Sequence, residues 1–246
     1  MIRFIAIALF LFLYLVLGIP VLGLEWLISR FNKDLSDRQC FRMVQWGFGV
    51  ILSISGVKVT VIGKENIPDE AVLFVGNHRS YFDILLTCCQ CPRITGYVAK
   101  KEMLRFPLLR TWMARIYCLF LDRENPREGL KTILTAIEYV KSGISIFIFP
   151  EGTRNSGEEG SMLPFHNGSF KIAEKSGCPI VPVSLNNTAA MFENQLPRVR
   201  KRHVVIEYGK PIRLTELEKE ERRRISEHCQ ALIQQTISRN RTLVEE

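Results

Sequence analysis

The sequence predicts an α/β protein: a mixed central sheet flanked by helices, with a hydrophobic helix or helix hairpin at the amino terminus. Three observations predict it. Residues 4–24 carry no charge; as one helix that run is about 30 Å long, the thickness of a bilayer's hydrocarbon layer. From residue 57 onward, short β-rich runs alternate with amphipathic stretches, the pattern of a sheet covered by helices. Several of the β-rich runs are apolar at nearly every position, as strands buried on both faces are. The expected division is residues 1–56 as hydrophobic, membrane-anchoring helices and residues 57–246 as one α/β domain.

Composition bounds the function. A chain of 246 residues that is 47% hydrophobic and 24% charged is globular and long enough for a sizeable core. The formal net charge of +8 favours an anionic partner: a phospholipid surface, a nucleic acid or a phosphorylated small molecule. Seven cysteines are too few, and odd in number, for a disulfide scaffold.

The elements follow in chain order. Arg3 precedes the apolar run, and Glu25, Arg30, Lys33, Asp34, Asp37, Arg38 and Arg42 follow it. Gly18 and Pro20 predict a kink near its end. A second apolar stretch, residues 44–57, is short for a crossing. A spanning helix and a hairpin dipping into one leaflet both fit; a cleaved signal peptide is disfavoured, because the run exceeds the usual length and no A-x-A-like site follows. The basic flank at residues 30–42 argues for a cytoplasmic catalytic side at the cell membrane. Strands are expected at 57–62, 72–75, 97–99, 117–121, 145–149, 180–185 and 204–208. Helices are expected at 82–89, 107–114, 127–141, 168–175 and 217–239, where the charge run 216–224 reads as a solvated face.

Chemistry is expected where apolar strands empty into polar loops, since ligands of open α/β sheets collect past the carboxyl ends of strands. Residues 72–76 end in Gly76, and Asn77, His78, Arg79, Ser80 and Asp83 follow. On one straight helix, His78 and Asp83 would point roughly 140° apart. They meet only if His78 lies in the turn before the helix; Asp83 then accepts the ring N–H and fixes the tautomer. The same residues also read as a turn and a capping box, Ser80-x-x-Asp83, and the two roles are compatible. The second constellation is Pro150, Glu151, Gly152, Thr153 and Arg154 after residues 145–149. Arg154 offers a planar fork for phosphate oxygens, and Glu151 is placed to hold that fork or a substrate hydroxyl; a surface turn with a salt bridge is the alternative. Cys88 and Cys91 form a C-x-x-C with no second pair at zinc spacing, so no metal site is expected. No dinucleotide or P-loop fingerprint is present.

Asn77-His78-x4-Asp83 and Phe149-Pro150-Glu151-Gly152-Thr153-Arg154 resemble two sequence blocks of the glycerolipid acyltransferase family, in particular its bacterial 1-acyl-sn-glycerol-3-phosphate acyltransferases. Leu119-Phe120-Leu121-Asp122-Arg123 resembles a further block, and Ile180-Val181-Pro182-Val183-Ser184 another; the blocks stand in family order over residues 72–185. The resemblance implies transfer of a fatty acyl group from acyl-CoA or acyl-ACP to the sn-2 hydroxyl of lysophosphatidic acid, at a phospholipid membrane. It implies His78 as general base, Asp83 as its orienter, no covalent acyl-enzyme and no cofactor. Asn77, Phe120, Arg123, Glu151, Gly152, Thr153, Arg154 and Pro182 become the expected substrate-binding residues. One departure is visible: where the family often has Phe-Lys-x-Gly, this chain reads Phe165-His166-Asn167-Gly168, so that either Lys171 substitutes or the substrate is slightly different. The rival readings are another acceptor, such as glycerol 3-phosphate or another lysophospholipid, and a non-catalytic membrane-surface binder. A nucleic-acid partner is not expected, for want of a recognition helix or stacking motif.

Overall fold

In the computed structural model, which describes residues 1–122 and 124–244, seven strands form one mixed sheet in the order β1-β7-β6-β2-β5-β3-β4. They are β1 (Lys58–Ile62), β2 (Leu73–Gly76), β3 (Thr95–Lys100), β4 (Leu119–Leu121), β5 (Ser145–Ile148), β6 (Ile180–Asn186) and β7 (His203–Tyr208). Each lies at an expected position. β2 to β6 run parallel; β7 pairs antiparallel with β6, and β1 parallel with β7. The near-continuous apolar runs β6, β2 and β5 occupy the centre and are buried along their whole length.

Alternate side chains of these strands feed two cores. Phe74, Phe147, Val181, Val183 and Leu185 face one side, and Leu73, Val75, Ile146, Ile148 and Ile180 the other. The first layer is covered by α2 (Lys33–Ser55), α3 (Phe82–Gln90) and α4 (Pro107–Arg115). The second is covered by α5 (Pro126–Lys141), α6 (Lys171–Ser176) and α8 (Ile225–Asn240). Two expected helices are subdivided. The 168–175 stretch opens with a 3-10 turn, Asn167–Phe170, before α6. The 217–239 stretch breaks at Arg224 into α7 (Lys219–Arg223) and α8. The charge-dense α7 has no buried residue, whereas α8 begins where Ile225 reaches the core.

At the amino terminus, α1 (Ile2–Ser29) continues without interruption through Gly18 and Pro20. α2 begins at Lys33, well before the apolar stretch that marked it in the sequence. Ser36 Oγ donates to Glu25 Oε2 at 2.7 Å, and Gly47 lies against the Tyr14 ring, so the two helices run antiparallel. α1 is the one described helix long and apolar enough to cross a membrane, and only 6% of its apolar window is buried.

Candidate active site

β2 and β5 are parallel neighbours, so the loops that leave their carboxyl ends meet. β2 lies between β5 and β6; the chain passes from β2 toward β3 on the β5 side and later returns from β5 to β6 on the other, a switch point of the kind where ligands of open α/β sheets bind.

The loop after β2 is held by its own polar side chains. Asn77 is 1% exposed, and its amide donates to the Leu185 carbonyl (2.9 Å) and accepts from the Leu185 N–H (2.8 Å). It thus extends the β2–β6 pairing by one rung. It was expected to touch substrate; both ends of its amide are instead committed to backbone. His78 follows in the turn before α3, as the pairing argument requires. Its Nδ1 lies 2.9 Å from Asp83 Oδ2, and its ring stacks on Phe149, with centroids 4.2 Å apart and planes 17° off parallel.

Asp83 is fully buried. The same Oδ2 accepts the N–H groups of Arg79 (2.7 Å) and Ser80 (2.8 Å), while Oδ1 has no donor among the described residues. Capping and orienting are therefore done by one atom. Only half of the expected capping box forms, because Ser80 Oγ accepts from Phe82 N–H rather than from Asp83 N–H. An imidazole donating through Nδ1 to a carboxylate keeps its lone pair on Nε2. Nε2 has no hydrogen-bond partner among the described residues, and the His78 side chain is 15% exposed.

The loop after β5 braces this turn. Gly152 takes φ +74°, a left-handed conformation that glycine adopts without penalty, and its N–H closes the turn onto the Phe149 carbonyl at 3.0 Å. Glu151 is 4% exposed; its Oε1 accepts the His78 N–H and its Oε2 the Leu163 N–H, both at 2.7 Å. The Asn155 N–H donates to the His78 carbonyl at 2.7 Å. Glu151 was expected to hold Arg154 or a substrate hydroxyl. It is instead a strut, with both oxygens spent on backbone. Burial pushes its carboxyl above the ordinary carboxylate range, against the two N–H donors.

Arg154 pairs elsewhere. Its guanidinium lies 3.6 Å over the Tyr81 ring, and Nη1 is 3.2 Å from Glu193 Oε1, which also accepts the Tyr81 N–H at 2.7 Å. Thr153 is exposed beside it. Phe120 lies in the edge strand β4 opposite Ala99. β4 is three strand spacings, about 14 Å, from β2. Arg123 falls outside the described residues. Pro182 is buried in β6 opposite Val75, with its carbonyl accepting the Gly209 N–H at 2.8 Å, so it shapes the sheet. His166 is exposed, and its N–H donates to the Pro150 carbonyl at 3.0 Å; Lys171 pairs with Glu174 on its own helix at 2.6 Å.

Four residues join the site that were not among the expected catalytic or substrate-binding residues. Phe149 supplies the face that the imidazole stacks on. Arg79, 4% exposed, sends Nη1 and Nη2 to the carbonyls of Glu158 and Gly157 and ties down that loop. Tyr81 and Glu193 hold Arg154. Phe149 opens the block that runs to Arg154 and Arg79 stands in the loop after residues 72–76, so both were visible in sequence; Glu193, far along the chain from Arg154, carried no local signal. The C-x-x-C thiols are core groups: Cys88 and Cys91 are buried, and burial pushes the Cys91 thiol up to about 11.

Comparison with known proteins gives consistent matches. The model of the family described as Acyltransferase matches residues 58–186. A 1-acyl-sn-glycerol-3-phosphate acyltransferase of Saccharomyces cerevisiae is 30% identical over 211 residues, covering 83% of this chain and 69% of the yeast protein. A protein of the same name from Salmonella typhimurium is 32% identical over 197 residues, covering 78% of this chain and 77% of its own. The crystal structure of a 1-acyl-sn-glycerophosphate (LPA) acyltransferase from Thermotoga maritima superposes with a TM-score of 0.81 at 22% identity, over 98% of this chain and 95% of that one.

Proposed function

The chain belongs to the acyltransferase family, and from that premise we propose that it acylates the sn-2 hydroxyl of 1-acyl-sn-glycerol 3-phosphate, making phosphatidic acid. The observation that carries the reading is the His78–Asp83 pair: a stacked imidazole with Nδ1 fixed on a buried carboxylate and Nε2 unpartnered among the described residues, in the loop past the carboxyl end of β2.

The chemistry follows from that geometry. An alcohol is a poor nucleophile until its proton leaves. His78 Nε2 takes the hydroxyl proton as the oxygen attacks the thioester carbonyl of acyl-CoA or acyl-ACP. Asp83 steadies the imidazolium that forms. As the tetrahedral intermediate collapses, the carbon–sulfur bond breaks and Nε2–H returns the proton to the departing thiolate. Ester and free thiol are the products, no acyl group resides on the protein, and no cofactor takes part. Arg154, already presented on the Tyr81 ring, takes the acceptor phosphate with Arg123, and that clamp sets the distance from phosphate to hydroxyl. Phe120 lies on the strand that leads to Arg123. Gly152 and Thr153 shape the turn that presents Arg154. Asn77, Glu151 and Pro182 act on the substrate indirectly, by holding the loops.

The site works at a phospholipid membrane on its cytoplasmic side. α1 keeps contact with the domain along its length: Phe4 stacks on Phe192 (5.9 Å), the Tyr14 ring lies tilted against Trp112 (5.4 Å), and the Glu25 carbonyl accepts from Arg115 (3.1 Å). Phe192 follows β6 and Arg115 precedes β4, so α1 follows the domain from one sheet edge to the other. That course supports a hairpin lodged in one leaflet beside the domain rather than a rod crossing away from it. Purified protein assayed with lysophosphatidic acid, glycerol 3-phosphate and lysophosphatidylcholine, each with both thioester donors, tests the reading. Lysophosphatidic acid is the acceptor expected to give the highest kcat/KM; preference for either other acceptor contradicts the assignment.

A further inference from the structure

Residues 196–202 read Leu-Pro-Arg-Val-Arg-Lys-Arg and lead into β7. The segment is fixed. Val199 is buried, the Arg198 N–H donates to the Gln195 carbonyl (2.8 Å), the Arg200 N–H to the Met191 carbonyl (2.9 Å), and the Arg202 carbonyl accepts the Lys58 N–H (2.9 Å). Its cations nevertheless stay free. Arg198, Arg200, Lys201 and the neighbouring Lys58 are exposed, and none of them makes an ion pair among the described residues. Arg202 reaches only the Lys201 carbonyl, at 3.1 Å. Some cations elsewhere on the surface are paired, as Arg213 is with Glu70, Arg224 with Glu227 and Arg239 with Glu207; what distinguishes this segment is four cations within five residues, none of them in an ion pair among the described residues.

The place of this platform matters. β7 runs antiparallel to β6, so the segment entering β7 lies at the sheet edge where β6 and β2 end, the edge that carries His78. Phe192, just upstream, stacks on Phe4 and ties the platform to the start of α1. Arg3 stands there, among Ile2 (85% exposed) and Ile5 (58% exposed), and Leu196 (59% exposed) leads the basic run. Clustered unpaired cations repel one another in water and are relieved by a surface of opposite sign. Exposed apolar side chains interleaved with them call for hydrocarbon at the same place. An anionic lipid interface meets both demands; an acidic carrier protein meets only the first.

We infer that Arg198, Arg200, Lys201 and Arg202, with Lys58 and Arg3, dock on anionic phospholipid headgroups and turn the catalytic edge toward the bilayer. The inference rests on the membrane reading of α1 given above. Docking there holds the site where an anionic acceptor is concentrated, and added salt weakens it.

The test is sedimentation of the full-length protein with vesicles of phosphatidylcholine alone and of phosphatidylcholine mixed with phosphatidylglycerol. Wild type binds the mixed vesicles more tightly. The triple variant Arg198→Gln, Arg200→Gln, Lys201→Gln loses that preference by about a hundredfold, at roughly fivefold per charge, while its thermal midpoint and its turnover in neutral detergent micelles stay at wild-type values. Wild type binding both vesicles equally, with the variant following it, overturns this inference and leaves the α1 anchor standing. Wild type binding neither overturns both. A variant that keeps its lipid preference but loses activity with acyl-ACP, and not with acyl-CoA, also overturns it and assigns the platform to the carrier protein.

Discussion

Oδ2 of Asp83 accepts three donors at once, the His78 ring and the N–H groups of Arg79 and Ser80. The fold of the turn and the tautomer of the His78 imidazole thus depend on the same atom. The pair was legible in sequence, because an offset of five residues permits contact only if the histidine precedes the helix. The role of Glu151 was not legible: a carboxylate next to a potential phosphate ligand looks like its partner until burial is known. Buried, it braces His78 and Leu163. Its raised pKa has a sign that can be tested. Above the ordinary value of 4.5, and below the raised one, the folded protein keeps a proton that the unfolded chain has released. This group's contribution to stability therefore falls as pH rises through that window. Glu151→Gln removes that slope, and sets an amide N–H against a backbone N–H, so it is about 1–3 kcal/mol less stable at neutral pH. Urea midpoints of the two proteins across acid to neutral pH check this; parallel curves contradict it. Arg154→Ala raises the acceptor KM by about 10–100-fold with kcat little changed, the loss of one charged phosphate contact. Glu193→Ala, which frees Arg154 from its side partner, moves the same parameter; steady-state kinetics with varied acceptor separate KM from kcat.

At the scale of elements, strands were read well because burial on both faces writes an unbroken apolar run. Helix α2 was read only in its second half. Its first turns, rich in charge, bury one face alone, with Ser36, Asp37, Cys40 and Phe41 inward. Long-range close approaches carry no signal in local sequence. At Gly96 in β3, a Cβ would stand 2.2 Å from the Tyr117 carbonyl oxygen, and Tyr117 itself sits at φ +61°. Backbone cannot yield there as a flexible side chain would. Gly96→Ala is expected to cost about 1–3 kcal/mol, read from chemical denaturation in detergent; a change within error contradicts the packing described at β3 and β4.

At the scale of the whole molecule, the sheet places its reactive loops at one edge, and α1 and α2 flank the sheet as a hairpin. Composition favours an anionic partner, yet it does not say which side of the molecule would meet one, because that depends on where the loops entering β7 and leaving β2 come together. The one-leaflet reading predicts that both ends of α1 lie on the same side of the membrane. Cysteines placed at Ile2 and at Phe31, which are 85% and 86% exposed, test it against the wild-type background. In sealed vesicles an impermeant thiol reagent labels both from one side; labelling from opposite sides means that α1 crosses.

The proposed reaction depends on proton transfer at His78. The most direct measurement is kcat for acyl transfer to lysophosphatidic acid by purified wild type, His78→Ala and Asp83→Asn, with acceptor binding measured in parallel. His78→Ala is predicted to lose about 10²–10⁴-fold in kcat while still binding the acceptor, with Asp83→Asn falling between it and wild type. Turnover by His78→Ala within a few-fold of wild type would contradict the account.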